Sequence, residues 1–209
     1  KGTLKHDSPF IDRNFGHLPL WLQSKGYEVI IFPLFFNIDN PIKVLSSFIK
    51  KHDIQFLIQD HYLKWMDYVT TIYSEWRQIN IDYNNIGLNG IDLTLLFQEV
   101  KLHDGFNIGR LSYNLCYPLF KRLRCLDFNF DKIYYPFENN AHEKSLIRSC
   151  NQYYPKSEVI GYQHTVWYGN QLGMFLGDNE DNCHPIPDKI IYGGPIYFEI
   201  LKIKTFRIM

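Results

Sequence analysis

Two short segments of the chain place acids, amides and a histidine directly after apolar runs. The residues with acid-base or hydrogen-bonding chemistry in these segments are Glu138, Asn139, Asn140, His142, Glu143, Gln163, His164 and Thr165. A carboxylate next to a histidine can take a proton from a hydroxyl group, orient that group, or stabilise a departing phosphate. The two segments are therefore our candidates for an active or binding site.

The apolar runs before these segments, residues 132–135 and 159–162, predict two strands that are buried in a parallel sheet. In open α/β sheets, ligands bind in the crevice outside the carboxyl ends of the strands. We therefore expect the polar residues of both segments to face one crevice.

The individual residues differ in how well local structure explains them. Glu138 precedes a predicted helix at residues 141–152, so a helix cap does not account for it. We interpret Glu138 as a general base or as a hydrogen-bond acceptor for a hydroxyl-bearing ligand. Glu143 lies in the first helical turn, where a capping box explains it as well as a ligand does. His164 would orient a hydroxyl when neutral and stabilise a phosphate or leaving group when protonated.

Two other segments contain acidic residues that could bind a ligand or an ion. Asp60 and His61 follow a predicted strand at residues 54–58, and they either line the same crevice or form a solvated loop. Residues 178–181 cluster carboxylates, which hard cations prefer, but their polar surroundings favour a surface loop. We therefore expect no metal site.

Strand and helix patterns alternate along most of the chain. Strands are predicted at residues 27–33, 54–58, 132–135, 159–162 and 189–192, and helices at 12–26, 41–51, 62–77, 93–100, 108–126 and 141–152. This alternation predicts an α/β fold: a Rossmann-like parallel sheet with helices on both faces and a helical insertion between residues 62 and 126.

Composition limits the class of protein. Of 209 residues, 45% are hydrophobic and 17% aromatic, which suffices for a large packed core, and the formal net charge is zero. A neutral chain lacks the basic footprint of a nucleic-acid binder. Four scattered cysteines, no signal-peptide pattern and no apolar run of membrane-spanning length predict a cytoplasmic protein with reduced thiols. Peripheral contact with the inner face of the membrane stays open.

Several segments resemble a known family. Residues 10–27, 135–144, 160–165 and 187–194 look like bacterial surface carbohydrate biosynthesis proteins, which are similar to GT-B glycosyltransferases of the capsule and O-antigen type. The usual dinucleotide, P-loop, hydrolase and zinc-protease motifs are missing from the sequence. The resemblance implies two facing Rossmann-like halves, one binding the acceptor and one the nucleotide-sugar donor. The chain matches the first half.

The resemblance also implies roles for single residues. Glu138 and Glu143 match the acidic pair of the family's strand-to-helix motif, and His164 matches the histidine of its Gln-His pair. The implied reaction transfers a sugar from a nucleotide-activated donor to a glycan or lipid-linked acceptor, with Glu138 as the base and His164 as the stabilising group. No cofactor beyond the donor substrate is implied. The remaining residues expected to bind substrate are Glu143, Gln163, Thr165, Asn139, His142, Asp60 and His61. Asn139, Asn140 and Ala141 depart from the family pattern, because a more aromatic residue is expected beside the second glutamate.

The implied domain organisation is incomplete. Residues 1–195 would form the acceptor-side domain without its first strand, and residues 196–209 would begin the crossover to a second domain. We therefore expect a fragment that is inactive alone. Two alternatives remain at this stage: an enzyme similar to nucleotide-sugar epimerases, and a non-catalytic scaffold of a polysaccharide assembly complex.

Overall fold

The computed structural model describes residues 10–33, 54–79, 84–105, 108–164 and 184–194, together with Ser46, Phe48 and Asn182. The helices are α1 (Leu18–Ser24), α2 (Gln59–Tyr62), α3 (Trp65–Ile79), α4 (Thr94–Gly105), α5 (Ile108–Asn114), α6 (Cys116–Cys125) and α7 (Ala141–Tyr153). The strands are β1 (Ile30–Ile31), β2 (Gln55–Phe56), β3 (Gly87–Leu88), β4 (Ile91–Asp92), β5 (Lys132–Pro136), β6 (Glu158–Tyr162) and β7 (Lys189–Ile191). The acidic run at 178–181, the region after 194 and most of the predicted helix at 41–51 lie outside the described residues.

The described strands form short sheets, two of them parallel. Strands β1 and β2 pair in parallel, with Ile30 opposite Gln55. Strands β5, β6 and β7 form a parallel sheet in that order, with Ile133 opposite Val159 and Gly161 opposite Ile190. The protein is therefore a mixed α/β fold with short parallel sheets and helices. None of the described helices has the length and apolar character needed to cross a membrane.

The core forms where α6 and α7 pack beside β5 and β6. Leu119 and Leu123 recur at helical spacing on α6, and both are buried. Ile147 of α7 and Val159 of β6 complete the same cluster. Because β6 is paired on both sides, its apolar run is buried, as predicted for a central parallel strand.

The predicted strands at residues 132–135, 159–162 and 189–192 are confirmed to within one residue at each end. Helix α1, in contrast, begins at Leu18 rather than near Asp12. The Asp12 carboxylate accepts hydrogen bonds from the backbone N–H groups of Asn14 (2.8 Å) and Phe15 (2.9 Å). Backbone hydrogen bonds between Asp12 and Gly16 close this turn, so a local side-chain bond replaces the first turns of the expected helix.

The predicted helical insertion contains a hairpin that we did not predict. Strands β3 and β4 pair antiparallel across Asn89 and Gly90, whose φ angles are 51° and 82°. Two successive positive φ angles are typical of a tight hairpin turn, and Asn-Gly is the dipeptide that favours it. The insertion is therefore mostly, but not wholly, helical.

Candidate active site

The turn between β5 and α7 is organised by the carboxylate of Glu143. Its two oxygens accept hydrogen bonds from the backbone N–H groups of Glu138 (2.9 Å), Asn139 (3.1 Å) and Asn140 (3.1 Å). Because Asn139 adopts a φ of 57°, the backbone turns so that three successive N–H groups point at the Glu143 carboxylate. Glu143 is only 3% exposed and forms the capping box that the sequence predicted as one alternative. Its contacts are those of a residue that shapes the turn.

Opposing effects act on the ionisation of Glu143. Burial raises the pKa of this carboxyl group, and the negative charge of Glu138 acts in the same direction. The three N–H donors lower the pKa because they favour the charged form, but burial has the larger effect and the resulting pKa is about 7. The group therefore titrates near neutral pH rather than near its ordinary value.

Glu138 and His164 come together at the ends of neighbouring strands. Their closest atoms, Glu138 Oε1 and His164 Nε2, are 3.4 Å apart. The other oxygen of Glu138 accepts a hydrogen bond of 2.9 Å from the side-chain amide of Asn140. The Glu138 side chain is 39% exposed, whereas that of His164 is 13% exposed. Glu138 is thus held in place from two sides while solvent, or a ligand, still reaches it.

The two ring nitrogens of His164 have different surroundings. Nε2 faces the Glu138 carboxylate. Nδ1 is buried, and within the described part of the chain it has no hydrogen-bond partner. In the neutral ring one nitrogen carries the proton and the other can only accept a hydrogen bond. The Glu138 carboxylate beside Nε2 favours a proton on that nitrogen.

Gln163, the residue before His164, has a structural explanation. Its backbone N–H donates to the carbonyl of Ile191 at 2.9 Å, and its side-chain oxygen accepts from the N–H of Gly193 at 3.1 Å. The residue is 3% exposed. These bonds join the end of β6 to the end of β7, so Gln163 fixes the backbone next to His164. Thr165, which was expected to bind substrate, lies outside the described residues.

His142 lies next to the turn, in the first turn of α7. Its ring stacks on Tyr113 of α5 with the ring centres 4.3 Å apart. Burial lowers the pKa of His142, although the charge of Glu138 acts in the opposite direction. A half-buried, neutral imidazole against an aromatic ring is a packing arrangement, and it helps to hold α7 against α5.

Asp60 and His61 belong to α2, and their described contacts are with tyrosines of α2 and α3. The Tyr68 hydroxyl donates a hydrogen bond of 2.5 Å to the Asp60 carboxylate. Burial, and then this bond, raise the pKa of Tyr68. His61 meets Tyr62 edge to face. Among the described residues, neither member of this pair is brought into contact with Glu138 or His164.

Sequence reasoning missed the contribution of the Asp12 turn to this region. The Phe15 ring in that turn packs on Tyr162, the last residue of β6, with the ring centres 5.5 Å apart. The turn therefore lies beside the strand end that leads to His164. The signal was an Asp three residues ahead of an aromatic residue, followed by Gly16, which adopts a φ of 57°.

The chemistry available at this site is proton transfer and hydrogen bonding by one carboxylate and one imidazole. Among the described residues, no group of three or more His, Cys, Asp or Glu side chains could hold a metal ion. Comparison of the chain with protein-family models, with curated proteins and with solved structures found no match.

Proposed function

We propose that the protein takes part in sugar transfer from a nucleotide-activated donor to a glycan or lipid-linked acceptor, as the sequence resemblance implies. The observation that carries the proposal is the contact between Glu138 and His164 at the carboxyl ends of two adjacent parallel strands. Such strand ends border the ligand crevice of open α/β sheets.

The geometry suits a carboxylate base. Glu138 is partly exposed, and both of its oxygens are positioned by neighbours. It takes the proton of the acceptor hydroxyl, a role for which a fixed carboxylate within hydrogen-bond reach is required. His164, when protonated, offsets the negative charge of Glu138 or of a departing phosphate. It is a stabilising group rather than the base.

The wider architecture in this proposal is the acceptor-side, Rossmann-like half of a GT-B enzyme. Two parallel sheets and the β5-α7-β6 succession support it. Under this proposal the protein works in the cytoplasm, at the inner face of the membrane. A second domain binds the nucleotide-sugar donor, and the membrane holds the lipid-linked acceptor.

The test measures nucleotide release by the natural gene product. The protein is incubated with UDP-glucose, UDP-N-acetylglucosamine or GDP-mannose, with and without membranes from the source cells as acceptor. Glu138→Gln is expected to lower acceptor-dependent turnover by about 100-fold or more, because positioned acid-base groups contribute that much. Binding of the nucleotide sugar is expected to stay within about threefold, since the base acts on the acceptor proton.

Glu28→Gln is the matched control, because Glu28 is an exposed carboxylate that bonds Gln55 at the start of the paired strands β1 and β2. It is expected to leave turnover unchanged. Full activity of Glu138→Gln, or no nucleotide release with any donor, would overturn the proposal. Conversion of a free nucleotide sugar without acceptor would instead indicate an epimerase-like enzyme.

A further inference from the structure

Helix α3 is amphipathic, but its most apolar side faces away from the protein. The inward side carries Asp67, Thr71 and Glu75 together with half-buried Tyr68. The exposed apolar and aromatic side chains are Trp65, Met66, Val69, Ile72, Tyr73 and Trp76, and exposed Thr70, Ser74 and Arg77 border them. Trp65 is 72% exposed and Trp76 is 59% exposed. Surface helices ordinarily show the opposite orientation, with the apolar stripe against the core.

Specific polar contacts hold α3 in this orientation. Arg122 of α6 contacts both oxygens of Asp67, at 2.5 Å and 3.0 Å. Asn114 of α5 donates from its side-chain amide to Glu75, and its side-chain oxygen accepts a 3.0 Å bond from Ser145 of α7. Rolling α3 to bury its apolar side would break these bonds and leave the partly buried guanidinium of Arg122 without its carboxylate partner. The outward apolar face is therefore a stable feature of the fold.

We propose that this face, the α3 face, is where two copies of the chain associate. Trp65, Val69, Ile72 and Trp76 follow one another at spacings of four, three and four residues. This series reads the same in both directions: a Trp at each end and a β-branched residue at each inner position. A two-fold interface requires a self-complementary surface. Antiparallel pairing of two α3 helices places Trp65 opposite Trp76 and Val69 opposite Ile72.

The size of the face fits a dimer. Six large, roughly half-exposed side chains present about 600 Å² of apolar surface. A typical stable interface buries about 800 Å² on each partner. Helix α4 packs against α3 and also has exposed apolar side chains, among them Leu95, Leu96 and Val100. A chain of zero net charge adds no long-range repulsion between the two copies.

Helix α3 does not carry the basic border that is typical of a membrane-bound helix. Its one base is Arg77, while its acids Asp67 and Glu75 lie on the inward side. Helices that lie on membranes are rich in Lys and Arg beside their apolar face, because lipid head groups are often anionic. The composition of α3 lacks this excess of positive charge.

The experiment is sedimentation equilibrium of the whole chain over a wide range of protein concentration. The wild type is expected to approach twice the chain mass of 25.0 kDa at the upper end. The double variant Val69→Lys, Ile72→Lys places like charges opposite each other, so association is expected to weaken by at least about 100-fold. The matched control is Trp21→Lys, since Trp21 of α1 is 55% exposed and lies off the α3 face. It is expected to retain the mass of the wild type.

A charge-reversal pair separates a lost interface from a lost fold. Mixing the Lys double variant with Val69→Glu, Ile72→Glu is expected to restore a one-to-one dimer, because opposite charges then meet across the two-fold axis. A wild type that is monomeric at every concentration would overturn the proposal, as would a dimer unaffected by the Lys double variant. Binding of a monomeric wild type to phosphatidylserine vesicles would assign the face to lipid and would also overturn it.

Discussion

The close contact between Gly161 and Phe137 supplies a sharp test of the packing beneath the candidate site. Gly161 lies in the central strand β6, and Phe137, the residue before Glu138, is 1% exposed. A Cβ atom added at Gly161 would lie 3.0 Å from Phe137 Cβ and 3.1 Å from Phe137 Cδ2. Rotation about the side chain of Phe137 cannot move its Cβ, so the backbone before Glu138 must shift.

The expected effect of Gly161→Ala is the difference between two terms. Removing a strand glycine stabilises the fold by about 0.5–1 kcal/mol, because Ala loses less backbone entropy on folding. Overpacking a filled core costs about 1–3 kcal/mol. The free energy of unfolding should therefore fall by at most about 2.5 kcal/mol, with a central value of about 1.3 kcal/mol. With a urea dependence of about 2 kcal/mol per molar, the central value lowers the midpoint of unfolding by about 0.6 M.

Urea denaturation followed by circular dichroism measures this change. The control is Gly87→Ala, because Gly87 also lies in a strand and a Cβ there meets only the Ile91 carbonyl oxygen, at an ordinary 3.5 Å. The control is expected to be neutral or up to about 1 kcal/mol more stable. If Gly161→Ala behaves like Gly87→Ala, then Phe137 does not pack against β6 as described and the reasoning fails.

Three further outcomes are expected. Glu143→Ala removes the acceptor of three backbone N–H groups, so the free energy of unfolding in urea should fall by about 3 kcal/mol; an unchanged value would contradict the role of Glu143 in the turn. Burial raises the pKa of Asp67, but its hydrogen bonds and charge contacts, chiefly with Arg122, outweigh burial and bring that pKa below 3.8. Its stabilisation is therefore present above pH 3.8 and lost as pH falls through the folded pKa. Thermal melts should show the advantage of wild type over Asp67→Asn, about 1–2 kcal/mol at neutral pH, shrinking in acid. Iodoacetamide followed by mass spectrometry should label exposed Cys125 before buried Cys116, because burial raises the pKa of Cys116 to about 12.

Much of the local structure could be predicted from residue types. The apolar runs before Glu138 and His164 predicted β5 and β6 nearly to the residue, since a buried parallel strand needs an unbroken apolar sequence. The spacing of Asn140 and Glu143 predicted the start of α7, because a capping box depends on neighbours in sequence. The Asn-Gly pair should have predicted the β3-β4 hairpin by the same local logic.

The orientation of each element was not predictable in the same way. The periodicity of α3 predicts a helix with two faces, but it does not say which face is inside. That was decided by Arg122 and Asn114, which lie on other helices and bond to the acids of α3. Gln163, expected in the crevice, is likewise bonded to Gly193, thirty residues away in the chain.

By itself, then, the sequence determined most of the strands and helices and which polar residues stand at their ends, because these depend on apolar periodicity and on caps within a few residues. It also placed the Glu138 and His164 segments at one edge of a sheet. Only the tertiary structure decided that these two side chains lie 3.4 Å apart, that the Glu143 carboxylate bonds to the backbone of its own turn, and that α3 has its apolar side exposed. These outcomes depend on hydrogen bonds and ion pairs between residues far apart in the chain, whose geometry exists only once the sheet and helices have packed.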